Sequence, residues 1–240
     1  GVNICDEGNA RHSASAFHDL HVRLRGEAVG WLQSAFVEDW LYATREHLSS
    51  EGLWPTQEQG GIACQVLPSG PDLRWEPFHR LAVSSIHQAR ERVWLVTPYF
   101  VPSEAALMAL TSAAQRGVEV RLLVPRVSDS RLVTWAARSY FGELMRAGVA
   151  VHEYQPRMLH TKALLVDADL AIVGSANFDY RSFRLNFELG VAWWDEGVAV
   201  ALEALLARDF DQSERLPVQR RISRMERLKE ALARLLSPML

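Results

Sequence analysis

The sequence predicts an α/β protein built on a mixed, largely parallel sheet with helices on both faces. From residue 62 to residue 154, short apolar and β-branched runs alternate with segments of helical spacing, which is typical of βαβ units. Further along, the runs 162–167 and 170–175 are separated only by Ala168 and Asp169, which predicts an antiparallel hairpin. The hairpin makes the predicted sheet mixed.

The residues before this region form a group of their own. Residues 28–44 carry apolar side chains at helical spacing and predict one amphipathic helix. Residues 49–61 are mostly polar, with one proline and a glycine pair, which is typical of a linker. We therefore predict a boundary near Gly61 that divides the chain into units 1–60 and 61–240.

The second unit alternates between the two kinds of element. The predicted strands are the apolar runs 62–67, 93–100, 118–125, 149–154 and 186–194, together with the two hairpin strands. The predicted helices span 76–91, 103–116, 131–147, 197–211 and 219–236.

The last predicted helix is amphipathic and basic. Its apolar stripe consists of Val218, Ile222, Met225, Leu228, Leu232 and Leu235, and basic residues crowd the remaining surface. Two interpretations fit this pattern. The stripe either docks the helix on the fold or lies on a membrane surface with anionic lipids.

Composition limits the classes of function. With 48% hydrophobic and 23% charged residues, the chain has the composition of a packed globular protein. Its formal net charge is -3, so affinity for phosphate-rich partners needs a local patch, and no nucleic-acid partner is expected. Cys5 and Cys64 form neither a CxxC pair nor a cluster with histidine, so the sequence predicts neither a metal site nor a cofactor.

The hairpin region carries groups suited to phosphodiester chemistry. His160 and Lys162 have the same parity on a strand and therefore share a face. The predicted hairpin sets Lys162 opposite Gly174 and brings Asn177 beside His160, while Gly174 and Ser175 are expected to leave room for a substrate. A neutral imidazole can attack phosphorus while an ammonium and an amide stabilise charge on the non-bridging oxygens.

This pattern resembles that of a known superfamily. His160, Lys162 and Asp167, followed by the run GSAN at 174–177, resemble the HxKxxxxD signature of the phospholipase D superfamily, in which two such motifs meet in one active site. Segments similar to bacterial cardiolipin synthases extend over the chain at 97–110, 113–125, 140–160 and 179–188.

The resemblance implies a phospholipase D-type α/β/α sandwich and a phosphatidyltransferase. Such an enzyme works through a phosphatidyl-histidine intermediate and transfers the phosphatidyl group of a phospholipid, here expected to be phosphatidylglycerol, to an alcohol on a second lipid. His160 is then nucleophile or general acid, and Asp167 completes the catalytic motif. Lys162 and Asn177 bind phosphate, and Ser175 is a further substrate-binding residue. These substrates imply the surface of the bacterial cytoplasmic membrane, reached peripherally or through anchoring segments outside this chain.

The amino-terminal residues extend the resemblance. Residues 1–7 resemble the segment directly after a first HxKxxxxD motif, with Asn3 in the role of Asn177. The first motif is therefore expected upstream, and the chain is expected to be an inactive fragment whose partner is the missing amino-terminal half. Asp19 resembles the acid that orients the second motif's histidine, and Glu188 the acid that orients the first motif's histidine.

Two other functions stay open. A phospholipase D-type phosphodiesterase would hydrolyse lipid or nucleic acid at the same site with water as the acceptor. A non-catalytic lipid-surface module would need only the last helix, but it would have no use for a correctly spaced Lys162 and Asn177. The sequence does not distinguish phosphatidylglycerol, phosphatidylethanolamine and water as acceptors, nor which histidine attacks first.

Overall fold

The fold is seen in a computed structural model that describes residues 16–49, 51–54, 59–220 and 222–240. The strands of this part are β1 (Cys64–Ser69), β2 (Arg92–Val96), β3 (Phe100–Val101), β4 (Glu119–Pro125), β5 (Ala150–Tyr154), β6 (Ala163–Val166), β7 (Leu170–Gly174), β8 (Phe178–Asp179), β9 (Glu188–Trp194) and β10 (Ser213–Arg215). The α-helices are α1 (Ala28–Thr44), α2 (Pro77–Gln88), α3 (Glu104–Gln115), α4 (Arg131–Ala147), α5 (Tyr180–Arg184), α6 (Glu196–Asp211) and α7 (Arg224–Leu235). Short 3₁₀ turns lie at Glu51–Leu53 and Ser237–Met239.

The main sheet of the described residues has the strand order β1-β9-β7-β6-β2-β4-β5-β10. The α/β class and the mixed sheet are therefore confirmed. Parallel pairing, however, is confined to β2-β4-β5 and to the small β3-β8 pair, and the other neighbours are antiparallel. The alternating sequence pattern predicts more parallel strand pairs than the sheet contains. It suggests that β1 and β2 are parallel neighbours, but β1 is an edge strand beside β9, and β9, β7 and β6 lie between it and β2.

The hairpin has the register that the sequence predicts. Ala163 pairs with Val173 and Val166 pairs with Leu170, so the turn is centred on Ala168. The ladder reaches Lys162, whose carbonyl oxygen accepts a hydrogen bond from the Gly174 N–H at 3.3 Å.

Alternation along the strands divides the core into two layers. Leu95, Leu122 and Leu164 belong to the larger cluster, which they form with α2, α3 and α4. Trp94 and Leu165 face the opposite way and pack with α6. Because helices cover both faces of the sheet, the predicted α/β/α layering is present.

The first and last helices contribute little to this core. No residue of α1 is buried. On α7 only Glu230 and Ala233 are buried. The apolar stripe, which one interpretation of the sequence docks on the fold, is instead largely exposed on this helix. No helix in the described ranges is long and apolar enough to cross a membrane.

The directions of the strands place most of the predicted site residues on one side of the sheet, the side at which β2 ends. Since β6 is antiparallel to β2, its first residues lie at the carboxyl end of β2. His160 and Lys162 directly precede β6, Asn177 follows β7, and Glu188 opens β9, which is antiparallel to β7. Asp167 follows the last residue of β6 and therefore lies at the opposite edge.

Candidate active site

A short extended segment brings an acid to the motif histidine. The His18 N–H donates to the Met158 carbonyl at 2.8 Å, and the His160 N–H donates to the His18 carbonyl at 2.7 Å. These two bonds form a parallel bridge between His18 and Leu159. The bridge places Asp19 beside His160, with 2.7 Å between Asp19 Oδ2 and His160 Nδ1, so the contact expected from the sequence is present.

His18 anchors the same segment, although its position in the sequence predicts no such role. The Nε2 atom of His18 lies 2.7 Å from Asp209 Oδ1 on α6. The ring of His18 also stacks on that of Tyr154, with 5.1 Å between centroids. Because His18 and Asp209 are 191 residues apart, no local pattern in the sequence signals this anchor.

The Asp19 contact defines which nitrogen of His160 is available for chemistry. Burial opposes the charge on Asp19, but the hydrogen bond with His160 and the nearby Lys162 outweigh it, so the pKa of this carboxyl is lowered. An ionised Asp19 accepts only, and Nδ1 of His160 must therefore carry the hydrogen. The lone pair of the neutral ring is then on Nε2.

Lys162 lies against the same imidazole. Its Nζ is 2.9 Å from each ring nitrogen of His160 and donates to the His160 carbonyl oxygen at 2.7 Å. Only 7% of the residue is exposed. Burial lowers the pKa of Lys162 to about 8, although the carboxylates of Asp19, Glu188 and Asp179 favour the charged form. A phosphate at Nε2 would therefore meet a compact, poorly hydrated ammonium.

Asn177, Ser175 and Glu188 lie together at the ends of β7 and β9. The Ser175 hydroxyl donates to Glu188 Oε2, and the Ser182 hydroxyl donates to Glu188 Oε1 at 2.9 Å. The Asn177 N–H donates to the Ser182 oxygen at 3.0 Å. The buried Oδ1 of Asn177 has no hydrogen-bond partner among the described residues. Its carboxamide thus retains hydrogen-bonding capacity that a substrate could use.

Gly174 has a different reason for being glycine than the sequence suggests. A Cβ atom at this position would lie 2.7 Å from the Leu189 carbonyl oxygen and 2.8 Å from Gly190 Cα. The missing side chain therefore allows β7 and β9 to approach each other. The expectation that Gly174 leaves room for a substrate is wrong.

Asp167, which the motif predicts as a catalytic residue, lies at the other end of β6. Its Oδ1 accepts hydrogen bonds from the backbone N–H groups of Arg90, Glu91 and Arg92 at 3.1, 2.8 and 3.0 Å. Its backbone φ is 52°, in the left-handed region that Asp tolerates better than most residues. Asp167 therefore joins the hairpin to the start of β2 and does not touch the reacting groups.

We expect Asp167→Ala to destabilise the protein by about 2 kcal/mol, through lost charge-assisted hydrogen bonds and a strained φ. Urea unfolding followed by circular dichroism measures this. Asp169→Ala in the same turn is the matched control, because Asp169 is exposed and, among the described residues, only its backbone carbonyl makes a hydrogen bond, to the Asp195 N–H. Equal stability of the two variants would contradict this role of Asp167.

The structure does not test the roles predicted for Asn3 and Glu188. Asn3 lies outside the described residues. Glu188 lies beside Ser175, but the histidine that it is expected to orient belongs to a first motif that this sequence does not contain. The described residues include no group of three His, Cys, Asp or Glu side chains that could hold a metal ion.

The chain matches a known protein family. Residues 82–212 match the family described as "Cardiolipin synthase, PLD-like domain". The chain belongs to this cardiolipin synthase family of phospholipase D-like proteins. The resemblance seen in the sequence is thereby confirmed, and the part of the chain that matches the family contains His160, Lys162 and Asn177.

Relatives in the cardiolipin synthase family extend the match beyond that domain. The chain is 49% identical over 226 residues to "Cardiolipin synthase A" of Pseudomonas aeruginosa. The aligned region covers 93% of this chain and 46% of the relative. It therefore spans about half the length of that curated relative.

Solved structures agree on the fold. Nuc, a phospholipase D family member from Salmonella typhimurium, superimposes with a TM-score of 0.55 at 21% identity, covering 65% of this chain and 99% of that one. The phosphatidylserine synthase of Haemophilus influenzae superimposes with a TM-score of 0.57 at 14% identity, covering 84% of this chain and 52% of that one. At these identities the likeness concerns the fold alone, and it supports the phospholipase D-type sandwich.

Proposed function

We propose that the chain supplies one of two histidine half-sites of a phosphatidyltransferase that makes cardiolipin-type lipids. The observation that carries this proposal is the arrangement around His160, whose Nδ1 is held by Asp19 while Lys162 lies 2.9 Å from its ring nitrogens. This arrangement presents Nε2 toward a phosphate-binding ammonium. The name of the Pseudomonas relative supports the same reaction.

In the first step a histidine attacks the phosphorus of a phospholipid. If His160 is the nucleophile, the Nε2 lone pair forms the P–N bond while the bond from phosphorus to the headgroup oxygen breaks. That oxygen takes a proton from a second histidine and leaves as an alcohol. Asp19 stabilises the positive charge that develops on His160, and Lys162 stabilises the negative charge on the phosphoryl oxygens.

In the second step an acceptor alcohol reverses the chemistry. The second histidine, now neutral, takes the proton of the alcohol as its oxygen attacks phosphorus. The P–N bond breaks and its electron pair returns to Nε2. If His160 is instead the acid and base, the two histidines exchange these roles. Either assignment needs two HxK motifs, and this sequence contains a single one, at His160.

We further propose phosphatidylglycerol as the phosphatidyl donor and an alcohol of a second lipid as the acceptor. The first motif would come from an upstream half of a longer protein, with Asn3 and Glu188 contributing to that half of the site. The half-length match to the Pseudomonas relative supports this arrangement. The reaction would take place at the bacterial cytoplasmic membrane, reached peripherally or through anchoring segments elsewhere in the protein.

The test compares the 240-residue chain with the complete protein encoded by its gene. Each is incubated with phosphatidylglycerol vesicles, and cardiolipin and phosphatidic acid are quantified. We expect cardiolipin from the complete protein, little or none from the chain alone, and none from complete His160→Asn. His87→Asn on the exposed side of α2 is the matched control and should retain activity. Mass spectrometry of quenched protein identifies the histidine that carries the phosphatidyl group.

Two outcomes would contradict the proposal. Phosphatidic acid as the main product would assign a phospholipase D-type hydrolase to the same site. Robust cardiolipin synthesis by a demonstrated monomer of the 240-residue chain would show that a second histidine half-site is not needed.

A further inference from the structure

The carboxy-terminal helix α7 is docked by the side opposite to its apolar stripe. Ala233 and Glu230 are buried against the fold, and the Tyr140 hydroxyl of α4 donates to Ser237 Oγ at 3.0 Å just beyond the helix. The Arg234 guanidinium lies 4.3 Å from the centroid of the Tyr140 ring. Two buried residues, a cation–π contact and a hydroxyl hydrogen bond therefore attach this part of the chain to the fold, while the large side chains of the apolar stripe are exposed.

Those apolar side chains form a continuous exposed surface, here called the outer stripe. It consists of Met225, Leu228, Leu232 and Leu235, which follow one another at intervals of three and four residues. Their exposed fractions lie between 53% and 76%. Met239, beyond the helix, is 72% exposed. A stripe of this kind marks an interaction surface more often than isolated exposed residues do.

The charges of α7 are sorted between its two sides. Glu230 pairs with Arg220 at 2.7 Å, and Glu226 closes a capping box with Ser223. At about 100° per residue, both acids fall on the side of Ala233, away from the outer stripe. The acidic residues of α7 thus serve the fold and leave no negative charge on the outer side of the helix.

Basic residues border the outer stripe. The same helical spacing places Arg224 along one border and Lys229 along the other, with Arg227 next to Arg224. All three are exposed. Within the described part of the chain, neither Arg224 nor Arg227 forms an ion pair. The outer side of α7 therefore offers apolar side chains bordered by exposed basic residues.

We propose that the outer stripe of α7 inserts into the surface of an anionic phospholipid bilayer. Its leucines and methionine would enter the boundary between headgroups and acyl chains, while Arg224, Arg227 and Lys229 reach the headgroup phosphates. A protein partner would have to present both an apolar groove and several acids, whereas an anionic bilayer has both properties everywhere. This inference deepens the proposed function by naming how the chain reaches its lipid substrates.

The position of α7 in the fold is consistent with that role. Helix α4 begins at Arg131, soon after the carboxyl end of β4, and this is the edge of the sheet that carries His160 and Lys162. The Lys229 ammonium lies 5.2 Å from the ring centroid of Trp135, in the second turn of α4. A bilayer held by the outer stripe would thus lie alongside the half of the molecule that contains the site.

The experiment is flotation of the 240-residue chain with vesicles of phosphatidylcholine alone or mixed with phosphatidylglycerol. We expect binding to the mixed vesicles that weakens with salt. The double variant Leu228→Ser, Leu232→Ser should lower the partition coefficient by about tenfold or more. Met108→Ser with Val200→Ser, an equally exposed apolar pair on α3 and α6, is the matched control and should bind like the wild type.

A second variant separates charge from apolar contact. Arg224→Gln with Arg227→Gln should reduce binding to the mixed vesicles and remove most of its salt dependence, because two headgroup contacts are lost. Circular dichroism checks that each variant is folded, and the exposed arginine pair keeps the test decisive if the serine variant unfolds.

Three results would overturn the inference. The first is a chain that does not float with anionic vesicles, and the second is binding that the α7 variants leave unchanged. The third is a wild-type dimer in sedimentation that the serine variant dissociates, without vesicle binding, which would assign the stripe to a second copy. Flotation needs no turnover, so failure of the proposed phosphatidyl transfer would leave this result standing, and the reverse holds too.

Discussion

Replacing Asp19 by asparagine is expected to lower kcat of the complete enzyme by about three orders of magnitude, by analogy with the acid of a serine-protease triad. The amide occupies the same volume but cannot stabilise an imidazolium on His160. It also permits the tautomer in which Nδ1 accepts, which places the hydrogen on Nε2 and removes the lone pair with which His160 would attack phosphorus or accept a proton. KM should change little, because the proposed role of Asp19 is to hold His160 and not to bind lipid.

Steady-state kinetics on phosphatidylglycerol vesicles, with thermal unfolding in parallel, tests this expectation. Asp39→Asn on α1 makes the same chemical change on an exposed residue and is the matched control. A loss below tenfold, in a variant that unfolds at the wild-type temperature, would remove Asp19 from the mechanism.

Lys162→Arg is expected to cost about a hundredfold or more in kcat/KM, although it preserves the positive charge. The ammonium is buried and lies within 2.9 Å of the His160 ring and 2.7 Å of its carbonyl oxygen, where a planar guanidinium does not fit. Of 26 basic residues, only Lys162 and Lys229 are lysine. Arg146→Lys, the reverse exchange at an exposed residue of α4, is the control and should retain activity.

The pH dependence adds a signature that a purely structural defect would not give. The pKa of Lys162 is lowered to about 8 by burial, so the side chain is charged below that pH and neutral above it. Wild-type transfer should therefore fall as pH rises through this value, because the phosphate loses its cation. Residual activity of the arginine variant should lack this alkaline limb, since a guanidinium stays charged. A wild-type profile that stays flat well above pH 8 would contradict the phosphate-binding role.

Local patterns in the sequence predict most of the elements and the core of the site. Helix α4 has the predicted bounds, and the hairpin has the predicted register, because helical spacing and strand alternation depend on nearby residues. The shared face of His160 and Lys162 follows from strand parity alone. The contact with Asp19 does not, and it was expected only through the resemblance to phospholipase D proteins.

What the sequence leaves out depends on residues far apart in the chain. The need for glycine at position 174 comes from the backbone of β9, and the anchor of His18 comes from Asp209. Asp167 belongs to the motif by spacing, yet its partners are backbone groups at the start of β2. The amphipathic pattern of α7 correctly predicts a helix but not which side faces the fold, since a charged pair and an alanine provide the docking surface.

The bridge between His18 and Leu159 also determines when the contact between Asp19 and His160 can form during synthesis. Asp19 and His160 are 141 residues apart, and β1 completes its ladder only when β9 has been made. The anchor of His18 requires residue 209, near the end of α6. Closing such long loops is costly until the sheet is in place, and proteins dominated by distant contacts fold slowly. A nascent chain that has emerged through β6 therefore carries its HxK motif before the anchor that fixes Asp19 exists, and the contact between Asp19 and His160 forms only after residue 209 has left the ribosome.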